Sequence, residues 1–294
     1  MDIGVELAQR RSGLRILRFG ALVSAVLQTA ACTEGVLAPA GPVARSELTI
    51  LMNATAIMLA VIVPVILLTL AFAWWFRSGN RRARYLPDWE YSGPIEVIVW
   101  AIPALLIAFL GGIAWIGSHE LDPPRPLAST RPLEVEVVAL DWKWLFIYPE
   151  QGVASVNRLV VPANRPLHFR ITSSGVMNSF FIPQLGSQIY AMAGMESQLN
   201  LLADHLGTYR GISAQFSGDG FSDMQFDVQA ISPLDFAAWV RAAKAGQPVL
   251  DSATYAALAR PSTVPNPLVF SSVSSRLFEH IASGSSADAM GGDH

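Results

Sequence analysis

Four residues in one glycine- and serine-rich run pose the first chemical question. In residues 211–228, GISAQFSGDGFSDMQFDV, the intervals between Ser213, Ser217, Phe221 and Met224 are x3, x3 and x2. Cys, Cys, His and Met at those intervals would make a loop able to wrap copper. Thiolates and a thioether are soft donors, and imidazole supplies nitrogen. Here only Met224 keeps a donor of that kind. The hydroxyls of Ser213 and Ser217 stay protonated and hard at neutral pH, and the ring of Phe221 offers no lone pair. The same residue types also serve in any strand-connecting turn. The run reads as a copper loop from which the copper chemistry has been removed.

Two single residues are further candidates. Glu96 lies at the start of a long apolar run, and an ionisable group at membrane depth is a functional hypothesis by default. The alternative is an interfacial carboxylate favoured by the positive end of a helix dipole. Cys32 is the one cysteine in the chain, so neither an intramolecular disulfide nor a cysteine cluster is available. It follows Thr29-Ala30-Ala31, a short apolar run at 19–27, and Arg10, Arg11, Arg15 and Arg18. That order is a secretory signal. A Cys directly after small residues resembles a bacterial lipobox and implies lipidation of Cys32, although Thr29 stands where Leu is usual. The alternatives are an ordinary cleavage near Ala31 or an uncleaved signal. His168 reads as structural and His205 as exposed, while Met192 and Met195 read as soft core filling.

The elements that must position these residues fall into three zones. The chain has 294 residues, of which 52% are hydrophobic and 15% charged. Its mean hydropathy is +0.38. That composition fits a membrane protein with a sizeable water-facing part. The net charge of −3 gives no reason to propose nucleic acid as a partner. Two apolar runs, 50–76 and 95–117, each reach the ~20 residues that cross a bilayer as a helix. Pro64 and Pro103 inside them are tolerated in membrane helices. Trp74, Trp75, Trp100 and Trp115 stand near the ends, as interfacial anchors do. Between the runs lie Arg77, Arg81, Arg82 and Arg84, and the positive-inside rule puts this loop in the cytoplasm.

After a proline-rich linker the texture changes to short strands. Residues 133–140, 157–161, 167–172, 198–203 and 224–228 are candidates, and such spacing suggests an all-β sandwich or barrel. In 133–140 the residues Glu134 and Glu136 share one face, with Val135 and Val137 on the other. From Ser232 onward three short helices are expected, over 235–244, 253–259 and 272–281. A small, polar tail follows from Ser283.

Two membrane helices before such a β domain resemble the layout of subunit II of the haem–copper respiratory oxidases. Three segments carry the resemblance further. Asp141-Trp142-Lys143-Trp144 is similar to the Trp-x-Trp element that opens that family's β domain. Residues 176–186, VMNSFFIPQLG, resemble its segment with a His-Ser, a hydrophobic pair and Pro-x-Leu-Gly. The copper-type loop follows about 27 residues later. The resemblance covers 50–230, and the helical tail resembles the C-terminal arm of the quinol oxidase branch. It implies two transmembrane helices in a hairpin, then an all-β cupredoxin-like Greek-key domain, then a C-terminal helical arm.

The departures are specific. Where the cytochrome c oxidases place the ligands of a dinuclear copper centre, this chain has Asn178 and Phe221 for the two His, Ser213 and Ser217 for the two Cys, and Gln215 for the Glu whose carbonyl binds. Only Met224 remains. The resemblance therefore implies a cytochrome bo-type ubiquinol oxidase subunit II, in which electrons enter from ubiquinol and no cytochrome c docks. It implies no cofactor on this chain, with haems and copper in subunit I. The expected partners are subunit I, further small membrane subunits (III and IV) and membrane lipid, with ubiquinol at the level of the complex. Glu96 matches a family glutamate near the mouth of a proton-uptake pathway of subunit I. Trp142 matches the family's electron-entry tryptophan, and without copper beside it packing is its expected role. The rival readings are a copper-carrying cytochrome c oxidase subunit and an independent periplasmic lipoprotein.

The expected order along the chain is a lipoprotein-type signal over 1–31, a periplasmic tether over 32–48, membrane helices at 49–76 and 95–117 flanking a cytoplasmic loop at 77–94, and a linker at 118–130. A copper-free cupredoxin-like domain follows at 131–230, with the arm and tail at 231–294. The chain would sit in a bacterial inner membrane with both ends periplasmic.

Overall fold

A computed structural model of the chain describes residues 35–284, apart from 85, 89, 128 and 129. The signal, Cys32 and the tail from 285 lie outside the described residues. Two long helices come first, α1 (Pro42–Trp75) and α2 (Gly93–Glu120). Each carries a proline in its first two positions, where the missing N–H has no partner to lose. Both keep an internal proline, Pro64 and Pro103. Their apolar side chains are open along most of their length, Leu70 at 63% and Ile107 at 72%. A contiguous apolar surface of that extent is one that lipid or a partner covers. The two helices meet where α2 ends. A Cβ on Gly117 would stand 2.8 Å from Ile50 Cδ1, so the glycine lets the helices close up there.

The helices differ from expectation at the ends that approach the β domain. Helix α1 begins at Pro42 rather than 49, so the second half of the 32–48 tether is helix. Helix α2 runs to Glu120, beyond 117. The reason is packing. Ala40, Val43 and Ala44 are buried, and Ala44 N donates to the Leu185 carbonyl at 3.3 Å. Small apolar residues that read as flexible composition are here the contact surface. Gly41 is required at this junction, because a Cβ would come within 2.3 Å of the Leu202 carbonyl oxygen. Arg45 pairs with Asp204, and Glu47 accepts from the Ser187 hydroxyl.

The β domain is a sandwich. Its first sheet has the order β12-β3-β2-β1-β5-β8. Its members are β1 (Leu133–Leu140), β2 (Lys143–Tyr148), β3 (Val153–Val156), β5 (Leu167–Ser173), β8 (Ser197–Leu201) and β12 (Leu268–Phe270). The second sheet has the order β4-β10-β9-β6-β7. It comprises β4 (Arg158–Pro162), β6 (Asn178–Phe181), β7 (Ile189–Ala191), β9 (Gly207–Ser213) and β10 (Gln225–Ile231). The pairs β1–β5 and β4–β10 are parallel. Strand residues alternate between faces, and the inner faces meet in an aromatic core of Trp144, Phe146, Phe169, Phe180 and Phe226.

The outer face of the first sheet is buried as well. Val138, Leu140, Leu145, Ile147, Ala154 and Val156 form a second core with Leu250, Tyr255, Phe270, Leu277, Phe278 and Ile281 of the C-terminal arm. The arm comprises α3 (Pro233–Lys244), β11 (Val249–Leu250), α4 (Ser252–Leu258), β12, β13 (Ser272–Val273) and α5 (Leu277–Ala282). The Ser232 hydroxyl caps α3 by accepting from Asp235 N at 3.1 Å. The helix expected over 272–281 is shorter than that. Residues 272 and 273 pair instead with β11, and Arg276 takes a left-handed φ of 64° that ends any earlier helical turn.

Buried polar groups clamp the arm. Lys143 is fully buried and donates to the Arg260 carbonyl at 2.9 Å and the Ser262 hydroxyl at 2.7 Å. Asn157 donates to the Val264 carbonyl at 2.9 Å. Beside them Arg170, opposite Glu136 in the β1–β5 register, holds Glu136 at 2.9 Å and both oxygens of Glu196. Its guanidinium lies 4.8 Å from the Phe278 ring centroid and 3.6 Å from Glu279. Burial, then the nearby Glu279 charge, pushes the Glu136 carboxyl up to about 7, with Arg170 opposing. A hydrogen bond from Arg170 holds Glu196 below the usual range.

A candidate site built on a copper-type loop

The fold brings five of the six sequence-predicted loop positions together at one end of the second sheet. Asn178 opens β6, Ser213 closes β9, and Met224 directly precedes β10. Ladder contacts fix their separation, with Ser213 N on the Met224 carbonyl at 3.0 Å and Ala214 N on the Ser179 carbonyl at 3.0 Å. Asn178, Ser213 and Met224 are all buried. The Ser213 hydroxyl donates to Asn178 Oδ1 at 3.1 Å, with the Gln215 carbonyl also in reach at 3.3 Å. Asn178 Nδ2 donates to the Val176 carbonyl at 3.1 Å. The Ser217 hydroxyl points at Met224 Sδ, 3.8 Å away. Phe221 begins a single 3₁₀ turn, Phe221–Asp223, and its ring meets Phe216 edge-on at 5.6 Å instead of turning inward.

These groups satisfy one another. An amide, two hydroxyls and a thioether, closed by internal hydrogen bonds, do not match the thiolate and imidazole set that a dinuclear copper centre needs. Among the described residues no three of His, Cys, Asp or Glu are grouped so as to hold a metal ion. His168 is bonded to Asn200 Oδ1 at 3.0 Å and His205 to Asp204 Oδ1 at 2.5 Å, so each already has a partner outside this loop. Met192 and Met195 contribute their carbonyls to Thr172 Oγ1, and Met195 is 55% exposed.

Trp142 braces the loop. It occupies the two-residue turn between β1 and β2 with φ 65°, a conformation that non-glycine residues adopt at a cost. Its ring packs on the loop so closely that a Cβ on Gly220 would approach within 2.4 Å. Its Nε1–H donates to the Ser217 carbonyl at 3.1 Å. The three residues of the Trp-x-Trp element thus point three ways. Trp142 holds the loop, Lys143 the arm, and Trp144 the core. The role of Lys143 was missed at the sequence level. Its signal was a lone cation in an otherwise apolar strand, KWLFIY.

Glu96 is elsewhere. It stands exposed in the first turn of α2, with its N–H on the Ser92 carbonyl at 3.0 Å.

Comparison with known proteins adds to this geometry. The model of the cytochrome c oxidase subunit II periplasmic domain matches residues 135–231, and the COX aromatic rich motif matches residues 244–283. A ubiquinol oxidase subunit 2 of Acetobacter aceti is 54% identical over 254 residues, 85% of this chain and 82% of the relative. A cytochrome bo(3) ubiquinol oxidase subunit 2 of Pseudomonas aeruginosa is 49% identical over 269 residues, 90% of this chain and 81% of the relative. Its counterpart in Pseudomonas putida is 51% identical over 238 residues, 81% of this chain and 76% of the relative.

Proposed function

The chain belongs to the cytochrome oxidase subunit II family, on its ubiquinol oxidase branch, and we propose that it serves there as a copper-free structural subunit. It is part of an oxidoreductase complex of the bacterial inner membrane that oxidises ubiquinol. Its own residues supply no redox centre. Its helices brace subunit I, and its β domain caps that subunit's periplasmic face. The haems and the copper that meets oxygen belong to subunit I, electrons arrive from ubiquinol, and cytochrome c has no place to deliver one. Subunits III and IV complete the membrane assembly. Both ends of the mature chain lie in the periplasm, with the Arg77–Arg84 stretch in the cytoplasm.

The observation that carries this reading is the closed hydrogen-bond set of Asn178, Ser213 and the Gln215 carbonyl where ligands would stand. The purified complex is expected to contain only the copper of subunit I. Replacing Asn178→His, Ser213→Cys, Gln215→Glu, Ser217→Cys and Phe221→His together should add about two coppers per complex, with the intense purple absorption of a mixed-valence centre. A wild-type complex that already shows that absorption on this subunit overturns the reading.

Glu96 is proposed to help protons enter subunit I. It stands at the start of a membrane helix, where a carboxylate can collect protons from water and pass them inward. Glu96→Gln keeps size and removes titration. Turnover per haem is expected to fall a few-fold with haem content and subunit stoichiometry unchanged, and Glu96→Asp should retain more activity. Wild-type turnover per haem in Glu96→Gln ends the idea.

A further inference from the structure

The loop at the far end of α1 forms a concavity that nothing in the oxidase reading uses. Phe76, Arg77, Asn80, Arg84 and Leu86 line a cavity of about 600 Å³ immediately after the last turn of the membrane helix. Asn80 shapes it. Its Nδ2 donates to the Trp75 carbonyl at 2.6 Å, its Oδ1 accepts from Arg82 N at 3.1 Å, and its N–H binds the Arg77 carbonyl at 2.9 Å. Arg77 is fixed in place, with Nη1 on the Trp74 carbonyl at 3.0 Å and Cζ 4.9 Å from the Trp74 ring centroid. One of its five N–H donors is used there, and the guanidinium keeps others for an anion.

The four arginines of this loop are not held in ion pairs with any described residue. Among the described residues, Arg77, Arg81, Arg82 and Arg84 have no carboxylate within ion-pair distance, whereas Arg45, Arg131, Arg165 and Arg170 each have one. The neighbouring wall is apolar and open, with Phe76 59% and Leu86 53% exposed. Trp74 and Trp75 mark the depth as that of the lipid headgroups. Cations on one wall and exposed apolar side chains on the other, at headgroup depth, match a phosphate anion joined to hydrocarbon chains. We propose that this cavity binds one anionic phospholipid, its phosphate on Arg77 and Arg84 and its acyl ends along Phe76 and Leu86. Basic pockets at this depth hold such headgroups, and the two Arg that line the cavity can contact the phosphate directly, which Arg81 and Arg82 outside it cannot.

The test uses the purified whole complex in phosphatidylcholine nanodiscs doped with photo-reactive phosphatidylglycerol. Lipid retained per complex is counted by native mass spectrometry, and the cross-linked peptide is identified. Wild type should retain phosphatidylglycerol on a peptide containing residues 77–86. Arg77→Gln with Arg84→Gln should weaken retention by roughly tenfold or more. Arg81→Gln with Arg82→Gln removes the same charge outside the cavity and should leave retention near wild type. Equal loss in both pairs would mean diffuse attraction and overturn the site. So would retention unaffected by the first pair, or cross-links from this loop to another subunit with no lipid bound. Displacement by millimolar inorganic phosphate would reduce the site to a free-phosphate site and overturn the lipid assignment. If the first pair fails to assemble, the wild-type cross-link position alone decides.

Discussion

A chain ended after Ala245 is expected to leave no assembled oxidase in the membrane. The arm beyond that point supplies Leu250, Tyr255, Phe270, Leu277, Phe278 and Ile281 to the second core. Fully burying a large apolar side chain contributes about 1.5–3 kcal/mol. Six of them amount to roughly 9–18 kcal/mol before the ordering entropy of the arm is set against it, a figure as large as the whole stability of a typical domain. Truncation would also turn Val138, Leu140, Leu145, Ile147, Ala154 and Val156 out to water as one flat apolar sheet face. Exposed faces of that kind aggregate. The readouts are the amount of full-length subunit in membranes and haem recovered with an affinity-tagged subunit I. Normal assembly and normal quinol oxidase activity from the truncated chain would refute the claim that the arm completes the domain.

Phe180→Ala should be the most damaging single substitution in the sandwich. The Phe180 ring touches four others, with centroids 5.3 Å from Trp144, 5.4 Å from Phe169, 6.4 Å from Phe146 and 5.3 Å from Phe226, the last nearly parallel. The side chain is completely buried at the junction of the two sheets. Removing a buried Phe costs about 3–5 kcal/mol, because the surrounding groups close the void only in part. The residue also sits two places from Asn178 on β6, opposite Ser213. Loss of the ring should therefore loosen the copper-type loop as well as the core. Pulse proteolysis of the membrane-bound chain in urea should show the midpoint lowered by about 1 M or more. A shift within error of wild type would mean the core repacks around the gap.

What could be read without coordinates follows from how each element meets water. Strand β1 was legible because one of its faces carries Glu134 and Glu136 and the other valines, so its alternation is visible. Strand β2 was not, because the arm buries its second face and KWLFIY shows no polar side. Strands β6 and β7 are too short for any period to register. The helical first turns at residues 42–48 were hidden for a related reason. Their contacts are made by Val43, Ala44, Arg45 and Glu47, a short mixed stretch after Ala40-Gly41 whose composition looks like linker. In the candidate site, spacing alone set out Ser213, Ser217, Phe221 and Met224. Asn178 lies 35 residues before Ser213, and only the resemblance joined them. No pattern in the sequence announced that Phe221 would turn toward Phe216.

The early start of α1 also fixes a height. A helix of 34 residues at 1.5 Å per residue is about 51 Å long, whereas the hydrocarbon core is about 30 Å thick. The surplus lies where Ala40, Gly41 and Val43 are seated against the β domain. The helix therefore acts as a gauge rod that carries the β domain off the bilayer by a set distance. One turn more or less would move that domain by about 5.4 Å, and a single residue would swing it by about a quarter of a circle. Close backbone approach at Gly41 and the Arg45–Asp204 pair hold the helix to the β domain in this register. Whatever surface subunit I offers on that side must be cut to this elevation and this bearing.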